Sequence, residues 1–375
     1  MNTPTYIPIF RLRDQEKGLL TSFDFGPEIF PYIEIFKKQP RSAPAAKPGQ
    51  EPKAIKPFHQ VYLPILDKIN CEKMFVDLPV HLSRSRGMKS AVLEFLLDVV
   101  GKRELRTSAI LSLKNCKKQI IPVVSTYSAI TGELNSIKLQ EADLRQDYPQ
   151  LAFRTCEKTF HSDISQIQAV VKQEDFLFID CEEFCLSNVD DLESVGHMLD
   201  YIKTFTKCTV VVINSPIHHA LKNSELIHGE QILEAQNCLL ERFRDFGADC
   251  FSDYAGVKKD LVEDGGGISP GLIFYYPIDN VFFGYRGRTW KPKEERHLED
   301  IRGKILADLL RSAIVIKMKE SHLQYLGPEN KGWKMVKDMW DETEAWKSQS
   351  KLKRISMEHY LHSIKTKINA GFFLN

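Results

Sequence analysis

Hydrophobic and polar positions along the chain fall into a repeating unit. A short β-branched or aromatic run ends in a polar residue, and a segment of helical period follows. The runs are YIPIFRL (6–12), FPYIEIF (30–36), MFVDL (74–78), IIPVV (120–124), LAFRT (151–155), FLFID (176–180), TVVVIN (209–214) and CFSDY (250–254). Between them lie amphipathic stripes. Met88, Ala91, Val92, Phe95, Leu96, Val99 and Val100 share one helical face, as do Leu192, Val195, Leu199, Ile202 and Phe205, and Ile232, Leu239, Leu240 and Phe243. Strands that alternate with helices need parallel crossovers. Eight such units predict an α/β fold, a (β/α)8 TIM-like barrel closed on itself rather than an open sheet.

The pattern breaks in three places. Residues 37–57 hold five prolines and six basic residues against one acid, which reads as an extended loop inserted after the second strand. It is either a tolerated surface insertion or a basic flap over the strand ends. A short helical segment follows at 59–71. VEDGGGISPG (262–271) is irregular, and GLIFYYP (271–277) with VFFGYRGR (281–288) reads as a hairpin turned at Ile278-Asp279-Asn280. Helical patterns then cover 294–318, 333–349 and 355–369. The predicted organisation is a barrel over 1–290 carrying the insertion, and a helical C-terminal extension over 291–375.

Ligands and catalytic groups of such barrels gather at the C-terminal strand ends. Glu34, Asp77, Asp180 and Asp253 end strand runs and are the candidate catalytic groups, with Glu182 and Glu183 just beyond the sixth strand. Grouped carboxylates divide into acid and base when proximity pushes their pKa values apart. They also hold Mg²⁺ or Mn²⁺, for which Asp77 and Asp180 are the candidate metal ligands. The plainer reading is that they cap helices or pair with Arg and Lys. Arg154, with Arg286 and Arg288, offers guanidinium forks for a phosphate or carboxylate; Arg154 equally suits neutralising the acids around it. Asn214 and Ser215, His218-His219 and Tyr254 complete the candidate binding set, Tyr254 together with Tyr275, Tyr276 and Tyr285 either stacking on a base or simply packing.

Composition narrows the class without naming a reaction. Lys plus Arg total 51 against 50 for Asp plus Glu, so no global field draws the chain to nucleic acid or membrane. No apolar stretch approaches the roughly 20 residues of a membrane helix, and no signal sequence is read at the start. Eight scattered cysteines, including the Cys181–Cys185 pair, fit reduced thiols in a cytoplasm. The chain lacks a Walker-type phosphate loop, a dinucleotide glycine fingerprint, a nucleophile elbow and a zincin motif.

Several of these segments resemble the beta protein family of bacteriophages and bacterial genomes. The likeness runs through Tyr6-Ile7-Pro8-Ile9-Phe10, Pro31-Tyr32-Ile33-Glu34-Ile35, Phe75-Val76-Asp77-Leu78, Ile179-Asp180 and Ser252-Asp253-Tyr254. It continues in the Tyr276–Gly287 hairpin, Trp333 and MEHYLHSI around His359. The family's paired C-terminal histidine is represented here by His359 and His362, and the insertion at 37–57 departs from its pattern. The resemblance implies phage–host conflict or mobile-element biology and no defined reaction.

The expectation is a cytoplasmic, phage-related or defence-associated barrel that binds a phosphate-containing ligand, a nucleotide or nucleic acid, at its mouth. In a hydrolytic version a divalent ion would activate water there. The alternative is a non-enzymatic scaffold that recognises a phage or host protein. A third reading is nucleic-acid binding through the insertion and the basic segment Lys347, Lys351, Lys353 and Arg354.

Overall fold

The computed structural model describes residues 3–37, 56–80, 90–127, 131–184, 188–235, 237–259, 269–290, 297–341 and 348–373. The insertion from 38 to 55, the glycines at 265–267, Cys185 and Lys347 lie outside the described residues. Eight parallel strands close into a barrel: β1 (Tyr6–Arg11), β2 (Tyr32–Glu34), β3 (Lys73–Asp77), β4 (Gln119–Ser125), β5 (Ala152–Cys156), β6 (Phe176–Asp180), β7 (Thr209–Ile213) and, after the two-residue strand β8 (Glu230–Gln231), β9 (Cys250–Asp253). The ring closes where β1 pairs with β2 at Ile9–Tyr32 and with β9 at Tyr6–Phe251. Each of the eight predicted runs is one barrel strand.

Side chains alternate across each strand, so one set fills the barrel and the other meets the helices. The inner set is a buried cluster of Ile7, Ile9, Tyr32, Phe75, Ile121, Val123, Phe176, Phe178, Val211, Ile213 and neighbours. The outer set, including Phe10, Ile33, Met74, Val76, Phe153, Leu177 and Val212, packs beneath the helices in the largest core. Along the inner face polarity rises toward the C-terminal ends. Ile7 and Ile9 lead to Arg11, Phe75 leads to Asp77, Phe176 and Phe178 lead to Asp180, and Ile121 and Val123 lead to Ser125. An apolar floor therefore carries a charged upper layer.

The predicted hairpin is β10 (Gly271–Tyr276) and β11 (Val281–Arg286), antiparallel, with β8 added on the far side of β11. No sequence pattern announced β8, because its two residues are both exposed. Leu272 and Phe274 of the hairpin share a second core with Ile305, Val315, Val336 and Ile355 of the C-terminal helices.

Those helices differ in extent from the expectation. The described part of the first run is helical from His297 to Arg311, with a π-helical stretch at Ile301–Leu306, and again over Ala313–Glu320. The second spans Lys331–Trp340 and the last Gln349–Asn369. Asn330 and Ser348 cap these two, their side chains accepting from the amides of Trp333 at 2.8 Å and Lys351 at 3.3 Å.

The last helix belongs to both cores. Leu352 and Ile355 enter the second, whereas Met357, Tyr360, Ile364 and Ile368 pack on the outside of the barrel. It lies against helix Asp14–Ser22 on one side. On the other, Lys367 pairs with Glu241 of helix Cys238–Arg242 at 3.4 Å. It thus fills the outer slot over β9 and β1, where a (β/α)8 barrel places its eighth helix. The side sheet and the preceding helices are an insertion between the eighth strand and the eighth helix. Among the described residues no helix is long and apolar enough to cross a membrane.

Candidate functional site at the barrel mouth

The charged upper layer is an ion-pair network centred on Arg154 of β5. Its guanidinium donates to the Tyr32 hydroxyl at 3.0 Å, to Glu34 Oε1 at 3.1 Å, to Asp180 Oδ2 at 2.6 Å and to the Tyr254 hydroxyl at 3.3 Å. Asp77 Oδ2 lies 3.7 Å away. The carboxylates have further donors. Arg11 Nε reaches Glu34 Oε2 at 2.9 Å, Tyr32 donates to Asp77 at 2.8 Å, and Arg106 Nη2 donates to Asp77 Oδ1 at 2.8 Å. Arg106, on helix Arg103–Leu111, also binds the carbonyls of Leu78 and Val123 and the side chain of Gln140. Arg106, Asp77 and Glu34 have no exposed surface, and Arg154 has 4%. Charges this deep persist only when paired and hydrogen-bonded.

Lys259, just past β9, is the most exposed cation of the group. Its ammonium lies 3.7 Å from Asp180 Oδ2 and 5.6 Å from the centre of the Tyr254 ring. Burial works against its charge, but Asp180 and Tyr254 outweigh that, so its pKa is raised. Arg154 is likewise held charged: burial opposes the charge, and Tyr32, Asp180, Tyr254 and Glu34 reverse the effect. Among the described residues four cations, Arg11, Arg106, Arg154 and Lys259, thus face three carboxylates, Glu34, Asp77 and Asp180. Beside Arg154 in the strand register stands Ser125, a buried residue whose hydroxyl has no hydrogen-bond partner among the described residues.

The barrel therefore brings together Glu34, Asp77, Asp180, Arg154 and Tyr254, and leaves the other candidates elsewhere. Asp253 falls on the opposite face of β9 from Tyr254. Its carboxylate points out of the barrel, accepting from Tyr6 at 2.5 Å and from Tyr360 of the last helix. A strand run ending in an acid says nothing about which face the acid takes. Asn214 is fully buried and its Oδ1 accepts from the Phe184 amide at 3.1 Å, tying the β6 loop to β7. His218 sits exposed on the rim beside Glu183. Arg286 is on the side sheet, donating to the Ser224 carbonyl.

Asp77 and Asp180 do not fit a metal pair. Arg154 stands between them; Asp77 accepts from Arg106 and Tyr32, and Asp180 accepts from Arg154 at Oδ2 and from the Glu182 amide at Oδ1. The basic C-terminal segment is also partly engaged, since Lys353 pairs with Glu16 and Arg354 with Glu358, each at 3.1 Å.

Several members of the network escaped the sequence reading. Arg11 and Tyr32 carried a signal: each lies two residues from a neighbour on the inner face, Ile9 and Glu34 respectively. Arg106 and Lys259 carried none, because a helix surface and a loop have no strand parity.

Fold and mouth together define a (β/α)8 barrel protein whose charged upper layer is built from strand-end carboxylates and arginines. The chain belongs to the Beta protein family, whose sequence profile matches residues 6–365. No curated protein matches it.

Proposed function

We propose that the barrel mouth binds a small phosphate-containing ligand, such as a nucleotide, anchored by Lys259 and Arg154 with the Ser125 and Tyr254 hydroxyls as neutral donors. The observation that carries this reading is the surplus cation. Among the described residues the three carboxylates face three buried arginines, so Lys259, which shares Asp180 with Arg154, adds one more positive charge at the most exposed edge of the network, where it can draw an anion. The unpartnered Ser125 hydroxyl beside Arg154 adds a donor that needs an acceptor. Binding rather than metal-assisted hydrolysis is the activity this arrangement supports. A phage-related or defence setting is part of the proposal and rests on the family alone.

The test is isothermal titration of the full chain with inorganic phosphate and a nucleotide panel, on the wild type and on Lys259→Ala. Loss of one charge-assisted contact, about 1.5–3 kcal/mol, should weaken binding roughly 10- to 100-fold. Higher salt should weaken the wild type more than the variant. Binding that Lys259→Ala leaves intact, or no binding at all, defeats this reading. A second reading, a non-enzymatic scaffold for a phage or host protein, is favoured by the near-complete pairing of the network, which suits a rigid plug. Absence of any small-ligand binding would point there.

A further inference from the structure

Beyond the mouth, on the rim between the ends of β6 and β7, lies a second cluster that the network does not use. Glu183 Oε2 meets His218 Nε2 at 2.9 Å, and Glu183 Oε1 meets His219 Nδ1 at 2.6 Å. The three donor atoms lie within 4.8 Å of one another, the group among the described residues whose side chains converge on one point in this way. The two rings are stacked with centroids 4.6 Å apart, and the Glu183 oxygen that meets His219 also accepts from its backbone amide at 2.7 Å. That second bond fixes the carboxylate relative to the histidine pair.

We propose that Glu183, His218 and His219 form a binding site for a divalent transition-metal ion of the zinc type. Two imidazoles and one carboxylate are a donor set that zinc accepts in tetrahedral sites with one position left for water or substrate. Imidazole ligands favour zinc, copper and nickel over magnesium or calcium, which take oxygen.

The distances are those of a hydrogen-bonded cluster. Tetrahedral ligands about 2.0–2.1 Å from a metal stand roughly 3.3 Å apart, so loading opens the two contacts by about half an ångström. The side chains are 26–52% exposed and can move that far. Both histidines must also change tautomer, His219 moving the proton it shares with Glu183 from Nδ1 to Nε2. His218 Nδ1 accepts from the Ala220 amide at 3.1 Å, and ligation through Nε2 moves its proton to Nδ1 and turns that amide to water. Both residues are exposed, so water can take over.

A separate feature points to a cation at the same place. Glu183 also lines a pocket of about 170 Å³ together with Glu157, Glu182 and Asp191, with Lys158 the basic residue of its described lining, while Asp180 at its edge is paired with Arg154 and Lys259. An acidic concavity concentrates cations. The pocket would draw the metal toward Glu183. It lies beside the Lys259 side of the mouth, and the metal proposal does not rest on the ligand proposed there.

The experiment is titration of the metal-stripped full chain with Zn²⁺ by calorimetry, with Co²⁺ absorption to report the ligands. One equivalent should bind, with the visible spectrum of tetrahedral nitrogen–oxygen coordination and no sulfur charge-transfer band. That band matters because the described residues include seven free cysteines. Glu183→Gln and the double change His218→Ala/His219→Ala should weaken binding by more than the 10- to 100-fold that loss of a residue merely hydrogen-bonded to a ligand costs. Glu182→Gln, which removes an exposed pocket acid that pairs with Lys158, should keep the affinity within a few fold. Circular dichroism checks that the rim variants fold, and Glu183→Gln keeps shape if the histidine double variant does not. No saturable Zn²⁺ binding, binding unchanged in Glu183→Gln, or a thiolate spectrum would overturn the proposal.

Discussion

The Tyr360 hydroxyl, on the last helix, donates to the carboxylate of Asp253 at the end of the eighth barrel strand. Tyr6 of β1 donates to the other oxygen at 2.5 Å. One buried acid thus links the first strand, the eighth strand and the helix that completes the barrel. Gly256 lets that helix approach: a Cβ there would stand 2.3 Å from Tyr360 Cγ, and its φ of +70° favours glycine independently.

Asp253 should make stability depend on pH in an unusual direction. Burial raises its pKa from 3.8 to about 6, against the lowering effect of the two tyrosine hydroxyls. A folded-state pKa above the unfolded one means the folded protein holds the proton longer. The stabilisation is complete below about pH 4 and is lost as pH rises through about 6. Compared with Asp253→Asn, the wild type should gain up to about 3 kcal/mol on going from pH 7 to pH 4. Urea unfolding of both proteins across that range checks it, and a constant difference would sink the idea.

Arg106 should be the costliest single residue of the network to remove. Its guanidinium makes four bonds in full burial, and Asp77 beside it has no exposed surface either. Arg106→Met should destabilise by about 3–5 kcal/mol, because it removes the close guanidinium partner of a buried carboxylate and leaves it Tyr32 and the more distant Arg154. Arg106→Met/Asp77→Asn should recover part of that loss. If the double variant is no more stable than the single one, the cost lies in packing and the lost carbonyl bonds rather than in the unpaired charge.

The barrel was legible because its signal is local and repeated: eight apolar runs of strand length, each followed by a helix. The mouth was legible only in part. Glu34, Asp77, Asp180 and Arg154 could be named because each ends a run, but whether they meet depends on strand parity and closure. Asp253 shows the limit, since its neighbour Tyr254 takes the inward position. Arg106 reaches the network from a helix surface, and Lys259 from a loop, so neither had a pattern to reveal it. The last helix is legible as a helix, but its packing against β1 and β9 is not, because that depends on the barrel's closure.

His359 should act on acid stability in the opposite sense to Asp253. Its ring stacks on Phe274 at 4.1 Å, accepts from Asn330 Nδ2 through Nδ1 at 2.7 Å and donates through Nε2 to the Tyr275 carbonyl at 2.9 Å. Burial lowers its pKa from 6.5 to about 3, only partly offset by the Tyr275 carbonyl. The folded state resists protonation, so stability is full above about pH 6.5 and is lost as pH falls toward 3. His359→Gln should be less stable than wild type at pH 7, and the gap should narrow by up to about 4–5 kcal/mol toward pH 3. Parallel acid-unfolding curves would show that His359 is not the titrating group.

Gly332 offers a test in which two effects of opposite sign compete. It sits in helix Lys331–Trp340, where alanine would gain about 1 kcal/mol of helix propensity. A Cβ there would stand 2.6 Å from the His359 amide nitrogen and 2.7 Å from the Ile355 carbonyl oxygen. Both are backbone atoms of the last helix, so neither can swing aside as a side chain would. Overpacking typically costs about 1–3 kcal/mol and exceeds that where neighbours cannot yield. Gly332→Ala should therefore be destabilising, with a thermal midpoint several degrees below wild type. The damage should appear first in the second core and at the stacked pair Phe274–His359, since that helix holds the two cores together. An unchanged or higher midpoint would mean that the two helices can part far enough to relieve contacts of 2.6 and 2.7 Å.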